Sequence, residues 1–168
     1  MKQKNATRKI VITAMFVALT CVATMLIKVP TPMKGYVNLG DCLVLLCGWL
    51  LSPIYGFLAA GMGSALADLL SGYVMYVPAT FIIKGLMALA AFYSAKGLEK
   101  KIGNLPSKII SAFFAELVMI LGYLLFEGIL YGFGAAALNI SANGVQGIFG
   151  LILGCILVKV FEKYHISF

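Results

Sequence analysis

Long stretches without a charged residue alternate with short polar breaks along the whole chain. Behind a basic start at Lys2, Lys4, Arg8 and Lys9, residues 10–27 carry no charge. A run of that length predicts a membrane helix: it exceeds the apolar region of a secretory signal and no small-residue cleavage site ends it. The prolines and glycine of Lys28-Val-Pro-Thr-Pro-Met-Lys-Gly35 stop that helix and predict an ordered loop. A second, short helix is expected from Leu39 to Leu51. Ser52-Pro53 reverses the chain into a third helix, Ile54 to Gly72, and the segment Tyr73 to Val77 turns it into a fourth. That helix starts at Pro78, a residue suited to a first helical turn, and ends near Ala95. Gly103, Asn104 and Pro106 mark Lys96 to Lys108 as a loop. A fifth helix is expected from Ile109 to Tyr131, then a small-residue stretch, Gly132 to Ala142, and a sixth helix from Asn143 to Phe161. The pattern predicts an all-α, polytopic membrane protein, one domain over residues 1–168 with six transmembrane helices.

Composition agrees. Of 168 residues, 62% are hydrophobic and 11% charged, whereas a soluble domain carries about 25% charged residues. The net charge of +7 resembles a nucleic-acid signal until the charges are placed. The basic N-terminus, the central group Lys96, Lys100, Lys101 and Lys108, and Lys159 and Lys163 all fall on one side of the predicted topology. Only Lys28 and Lys34 fall on the other. Positive charge stays on the cytoplasmic side, so both termini face the cytoplasm, the number of spans is even, and no nucleic-acid partner is called for. Tyr36, Tyr73, Tyr76 and Tyr131 then fall at outer helix ends, as an aromatic belt would, and Trp49 at the inner interface. Cys21, Cys42, Cys47 and Cys155 lie in apolar runs without Cys-x-x-Cys spacing, and the lone histidine, His165, is in the tail. These are packing residues, and neither a metal site nor a cofactor is expected.

Asp41, Asp68, Lys84, Glu116, Glu127, Asn143 and Gln146 are left unexplained by topology. Ionisable groups inside a bilayer cost about 2.5–3.5 kcal/mol each on insertion scales and mark binding sites or pathways by default. Counting helical rise puts Asp41 near the outer end of the second helix, and Asp68, Lys84 and Glu127 in the outer part of the third, fourth and fifth. Asn143 and Gln146 fall in the first turn of the sixth. Tyr123, Glu127 and Tyr131 share a face at spacings of four, with Glu116 below on that face. Convergence at one depth predicts a pocket, open to the outside, for a small polar aromatic or hydroxylated ligand. The competing reading is a packing network in which Lys84 pairs with Asp68 or Glu127, Asn143 caps the sixth helix and Asp41 is a first-turn acid.

The first helix carries Ala14-Met-Phe-Val-Ala18, a small-x-x-x-small step that admits close helix approach. With Asn38-Leu-Gly-Asp41, Ala67-Asp-Leu-Leu-Ser-Gly72, Ile82-Ile-Lys-Gly85 and the Asn143-x-x-Gln146 pair, the chain resembles, over nearly its full length, the substrate-binding S components of energy-coupling factor (ECF) vitamin transporters. The resemblance is to the branch with riboflavin, pyridoxine and hydroxymethylpyrimidine carriers. It implies a non-enzymatic binding subunit in the bacterial plasma membrane that docks, through Ala14 and Ala18, on a membrane scaffold protein driven by two ATPases. No G-x-x-x-x-G-K-[ST] loop is present, in keeping with ATP hydrolysis elsewhere. Riboflavin carriers tend to have lysine where Gln146 stands, which favours a pyridoxine- or hydroxymethylpyrimidine-like ligand. A riboflavin-type subunit is the alternative, as is an ion-coupled secondary transporter using Glu116 and Glu127. A membrane enzyme built on Asp41 and Asp68 lacks any supporting motif. The expected site is Asn143, Gln146, Glu127 and Lys84, with Tyr123 and Tyr131 on the fifth helix and Asn38 and Asp41 closing it from the loop side.

Overall fold

The computed structural model describes residues 2–30 and 36–163. Helix α1 spans Lys2–Leu26, strands β1 and β2 span Lys28–Pro30 and Tyr36–Asn38, and α2 to α5 span Asp41–Leu50, Pro53–Leu70, Val77–Ile102 and Asn104–Tyr131. A short α6, Phe133–Ala137, precedes α7, Asn139–Lys163. Helices α1, α3, α4, α5, and α7 with α6 ahead of it, are long and apolar enough to cross a bilayer.

Helix α2 is the centre of the bundle. It touches α1, α3, α4, α5 and α7, and Val44, Leu45, Leu46 and Cys47 have no exposed surface. A short helix that is apolar on all sides belongs in an interior. Around it α1, α3, α4 and α5 run neighbour to neighbour, and α7 closes against α2 and α5. The outward faces carry Ile10, Val22, Leu70, Ile129 and Ile148, side chains that match hydrocarbon.

The second crossing is composite. The residues of α2 rise only about 15 Å, half of a hydrocarbon core about 30 Å thick. The segment expected to be a loop supplies more: Lys28, Val29 and Pro30 pair antiparallel with Asn38, Val37 and Tyr36, and β2 adds about 10 Å of descent. Residues 31–35 of that expected loop, Lys34 among them, lie outside the described residues. Asp41, the first residue of α2, therefore lies below the outer surface. The chain first descends as a strand, so α2 begins at depth, level with Lys84 about 10 Å into α4.

The basic ends gather at one end of the bundle. Lys9 lies 5.9 Å over the Tyr55 ring, Lys108 pairs with Glu162, and Asn104 Nδ2 donates to Glu162 Oε1 at 2.8 Å. The expected loop from Lys96 to Lys108 is instead almost all helix. Gly103 alone joins α4 to α5, with φ of +88°, in the left-handed region that glycine tolerates. Lys100 and Lys101 sit favourably in the last turn of α4, and Pro106 falls in the first turn of α5, where its missing N–H has no helical partner to lose. The small-residue stretch is likewise helical apart from its turns, alanine being a strong helix former, so α7 starts ahead of Asn143. Trp49 is half-buried and donates through Nε1 to Ser111 Oγ at 2.9 Å, tying α2 to α5 instead of lying in an interfacial belt.

Backbone contact between α2 and α4 leaves no room for a side chain at Gly48. A Cβ on Gly48 would lie 2.5 Å from the Ala88 carbonyl oxygen and 2.8 Å from Ala91 Cβ. Gly48→Val should destabilise the fold by about 1–3 kcal/mol, read as a lower thermal midpoint in detergent. Gly97→Ala, where a Cβ meets open space, should leave the midpoint unchanged or raise it.

Candidate functional site

A cleft opens at the end of the bundle opposite the basic cluster, bounded by β2, the end of α3, and α4, α5 and α7. The space within it and at its open mouth amounts to about 400 Å³. One wall is aromatic. Ring centroids follow one another from Tyr36 to Tyr73 (4.7 Å), Tyr73 to Tyr76 (6.5 Å) and Tyr76 to Tyr123 (6.4 Å). These spacings suit offset and edge-to-face contacts, which leave π surface for a flat ligand.

Polar groups are interleaved with these rings. Glu127 accepts from Asn139 Nδ2 on both carboxyl oxygens, at 3.0 and 2.9 Å, and from the Tyr76 hydroxyl at 3.2 Å. Asp68 Oδ1 accepts from the Tyr36 hydroxyl at 2.6 Å. Thr80 and Tyr123 share a hydrogen bond of 3.0 Å. Asn143 lines the cleft half-buried. Gln146 forms the floor: Oε1 accepts the Asn38 backbone N–H at 2.8 Å, and Nε2 donates to Asp41 Oδ2 at 2.6 Å.

Beneath Gln146 lies an ion pair. Lys84 binds Asp41 Oδ1 and rests 5.6 Å over the Tyr123 ring; both partners are almost wholly buried. Glu116 is lower still, with both carboxyl oxygens lacking a hydrogen-bond partner. It lies against α7, where a Cβ on Gly150 would meet Glu116 Oε1 at 2.8 Å and Asp41 Cβ at 2.7 Å.

Of the residues expected from sequence, Asn38, Tyr123, Glu127, Asn143 and Gln146 line this one cleft. Asp41 and Lys84 do not. They neutralise each other below the floor, so Lys84 pairs with neither Asp68 nor Glu127. Tyr131 is one turn above Glu127 and lines a separate outer hollow with residues 72–76. Asn143 stands a turn inside α7 and is not its cap. Ala14 and Ala18 are exposed on α1. Sequence reasoning missed Asn139 and Thr80, and placed Tyr36, Tyr73 and Tyr76 in a lipid-facing belt although they line the cleft. A signal for Asn139 was present, since positions 139, 143 and 146 recur at the spacing of one helical face.

Removing one member of a buried ion pair strands the other. Lys84→Met should cost about 3–5 kcal/mol of stability, and Lys84→Met combined with Asp41→Leu should recover most of it. Thermal melts of the three proteins in one detergent check this.

Comparison with known proteins follows the same lines. A solved structure described as the S component of a bacterial ECF transporter superposes with a TM-score of 0.70 at 20% identity, covering 95% of this chain and 98% of that one, which gives the fold. A protein of Lactococcus lactis subsp. cremoris (strain MG1363), named thiamine precursor transporter HmpT, is 28% identical over 169 residues, 97% of this chain and 92% of its own length. An uncharacterised protein of Pyrococcus woesei is 34% identical over 143 residues, 84% of this chain and 93% of that protein. The family model described as ECF-type riboflavin transporter, S component, matches residues 4–163. A match running from the cytoplasmic start of α1 to the last residue of α7 takes in every element that builds the cleft, and the chain belongs to this family of multi-pass cell-membrane S components.

Proposed function

We propose that the protein is the membrane-embedded binding subunit for uptake of a single-ring vitamin or vitamin precursor, pyridoxine- or hydroxymethylpyrimidine-like, which it takes from outside the cell. The observation that carries this reading is the cleft: tyrosine rings interleaved with amides and carboxyls, a lining that suits a flat, polar ring. Side-chain amides offer a donor and an acceptor each and so match the alternating edge of a nitrogen heterocycle. The relative named as a thiamine precursor transporter supports the same ligand class. The family's description favours riboflavin as the second reading, and direct binding separates the two.

Titration calorimetry on the purified protein should give tight binding of hydroxymethylpyrimidine or pyridoxine and weak binding of riboflavin; the reverse order selects the second reading. Removing one hydrogen-bonding partner in a dry site costs about 1–3 kcal/mol. Asn143→Ala, Gln146→Ala and Glu127→Gln should therefore each weaken binding by at least about fivefold. Unchanged affinity in all of them would move the site elsewhere.

Transport in this reading needs a separate scaffold protein and two ATPase subunits, and S-component membership favours that arrangement over a self-contained secondary transporter. Ala14 and Ala18, one turn apart on the exposed face of α1, leave the shallow surface that close helix docking requires. Ala14→Leu with Ala18→Leu should abolish uptake in cells while leaving the affinity of the isolated protein unchanged. Normal uptake by the double variant would remove α1 from the docking surface.

A further inference from the structure

Two acceptor atoms in the cleft residues have no donor. Asp68 Oδ2 and Asn139 Oδ1 are buried without a hydrogen-bond partner, on residues only 5% and 2% exposed that both line the cleft. The rest of each side chain is committed. Asp68 Oδ1 accepts from Tyr36, and Asn139 gives its amide nitrogen to both oxygens of Glu127, which fixes its carbonyl oxygen pointing away from that carboxyl. Of the hydroxyl and ammonium groups nearby, Thr80 shares a hydrogen bond with Tyr123, and Lys28 Nζ donates to Ser71 Oγ at 2.7 Å. Glu116 also has unpartnered oxygens, but they lie against α7 below the floor, outside the cleft lining. Asp68 and Asn139 differ because their residues border space that a ligand can enter.

Charge points the same way. Asp68 and Glu127 bring two carboxyls to the lining and no lysine, arginine or histidine joins them among the described residues. Burying a polar acceptor without a partner is unfavourable, and the deficit disappears when a bound molecule donates to it. We infer that Asp68 and Asn139 are specificity-determining residues that read two hydrogen-bond donors on the ligand, an amine or ring N–H at one and a hydroxyl or N–H at the other, and so reject a ring that offers only acceptors there. This rests on the single-ring reading above.

The test uses the full-length protein in detergent, freed of copurified small molecules. The probes are hydroxymethylpyrimidine with its ring amine, the analogue with hydrogen in place of that amine, and the analogue with a methyl group in place of the hydroxymethyl. Loss of either donor should weaken binding to the wild-type protein about tenfold. Asp68→Asn keeps an acceptor for Tyr36 but turns the free oxygen into a donor, and should abolish the preference for one of the two donor groups while leaving the other. The wild-type comparison stands even if that variant does not fold. Equal wild-type affinity for all three compounds, or an unchanged preference in a folded Asp68→Asn protein, overturns the inference. If the wild-type protein binds riboflavin and none of the pyrimidines, the single-ring reading itself has failed and this inference falls with it.

Discussion

A polar group below the surface of a bilayer has no water to turn to, so every charge and every non-helical peptide there must be answered from within the protein. In this chain the demand is concentrated where β2 gives way to α2. The Asn38 backbone N–H is taken by Gln146, the Gly40 N–H by Asn38 Oδ1 at 2.8 Å, and the Asp41 carboxylate by Lys84 and Gln146 together. Gln146 joins the strand backbone to the ion pair, and it reaches both only because α7 comes close to α2. Gly147 and Gly150 permit that approach: a side chain at either would press on Glu116 or Asp41.

The chemistry of the cleft follows from that arrangement. With Lys84 held by Asp41 below the floor, no basic side chain remains at the lining among the described residues, and the cleft is left to tyrosine rings, amides and carboxyls. Such a surface suits flat, neutral or donor-rich molecules. The same glutamine that closes the membrane-buried network also lines the cleft, so in the proposed reading the fold's stability and its recognition surface share a residue.

Much of this is legible in the sequence because the bilayer imposes one period and one length. The apolar runs locate five long helices and the buried α2, the lysines orient them, and the rarity of polar residues inside the runs draws attention to Glu127, Asn143 and Gln146. The failures have local causes. Residues 96–102 read as loop because charge and glycine mimic one, yet α4 continues past the bilayer, where lysines suit a helix C-terminus. The segment from Lys28 reads as a loop because its prolines give no sign that its flanks pair as a hairpin. Tyr36, Tyr73 and Tyr76 read as lipid-facing because depth follows from sequence position and direction does not.

The single-residue link at Gly103 makes chain length a carrier of angular information. Successive residues of a helix are turned by about 100°, and α4 and α5 face each other with no slack between them. One inserted residue at this joint would have to be absorbed by turning α5 on its axis or by sliding it, and turning would carry Tyr123 away from Lys84 and Glu127 away from Tyr76 on the far side of the membrane. The joint therefore keeps two helices in phase over their whole length, so that the cytoplasmic end of the protein indexes the geometry of a cleft that it never touches.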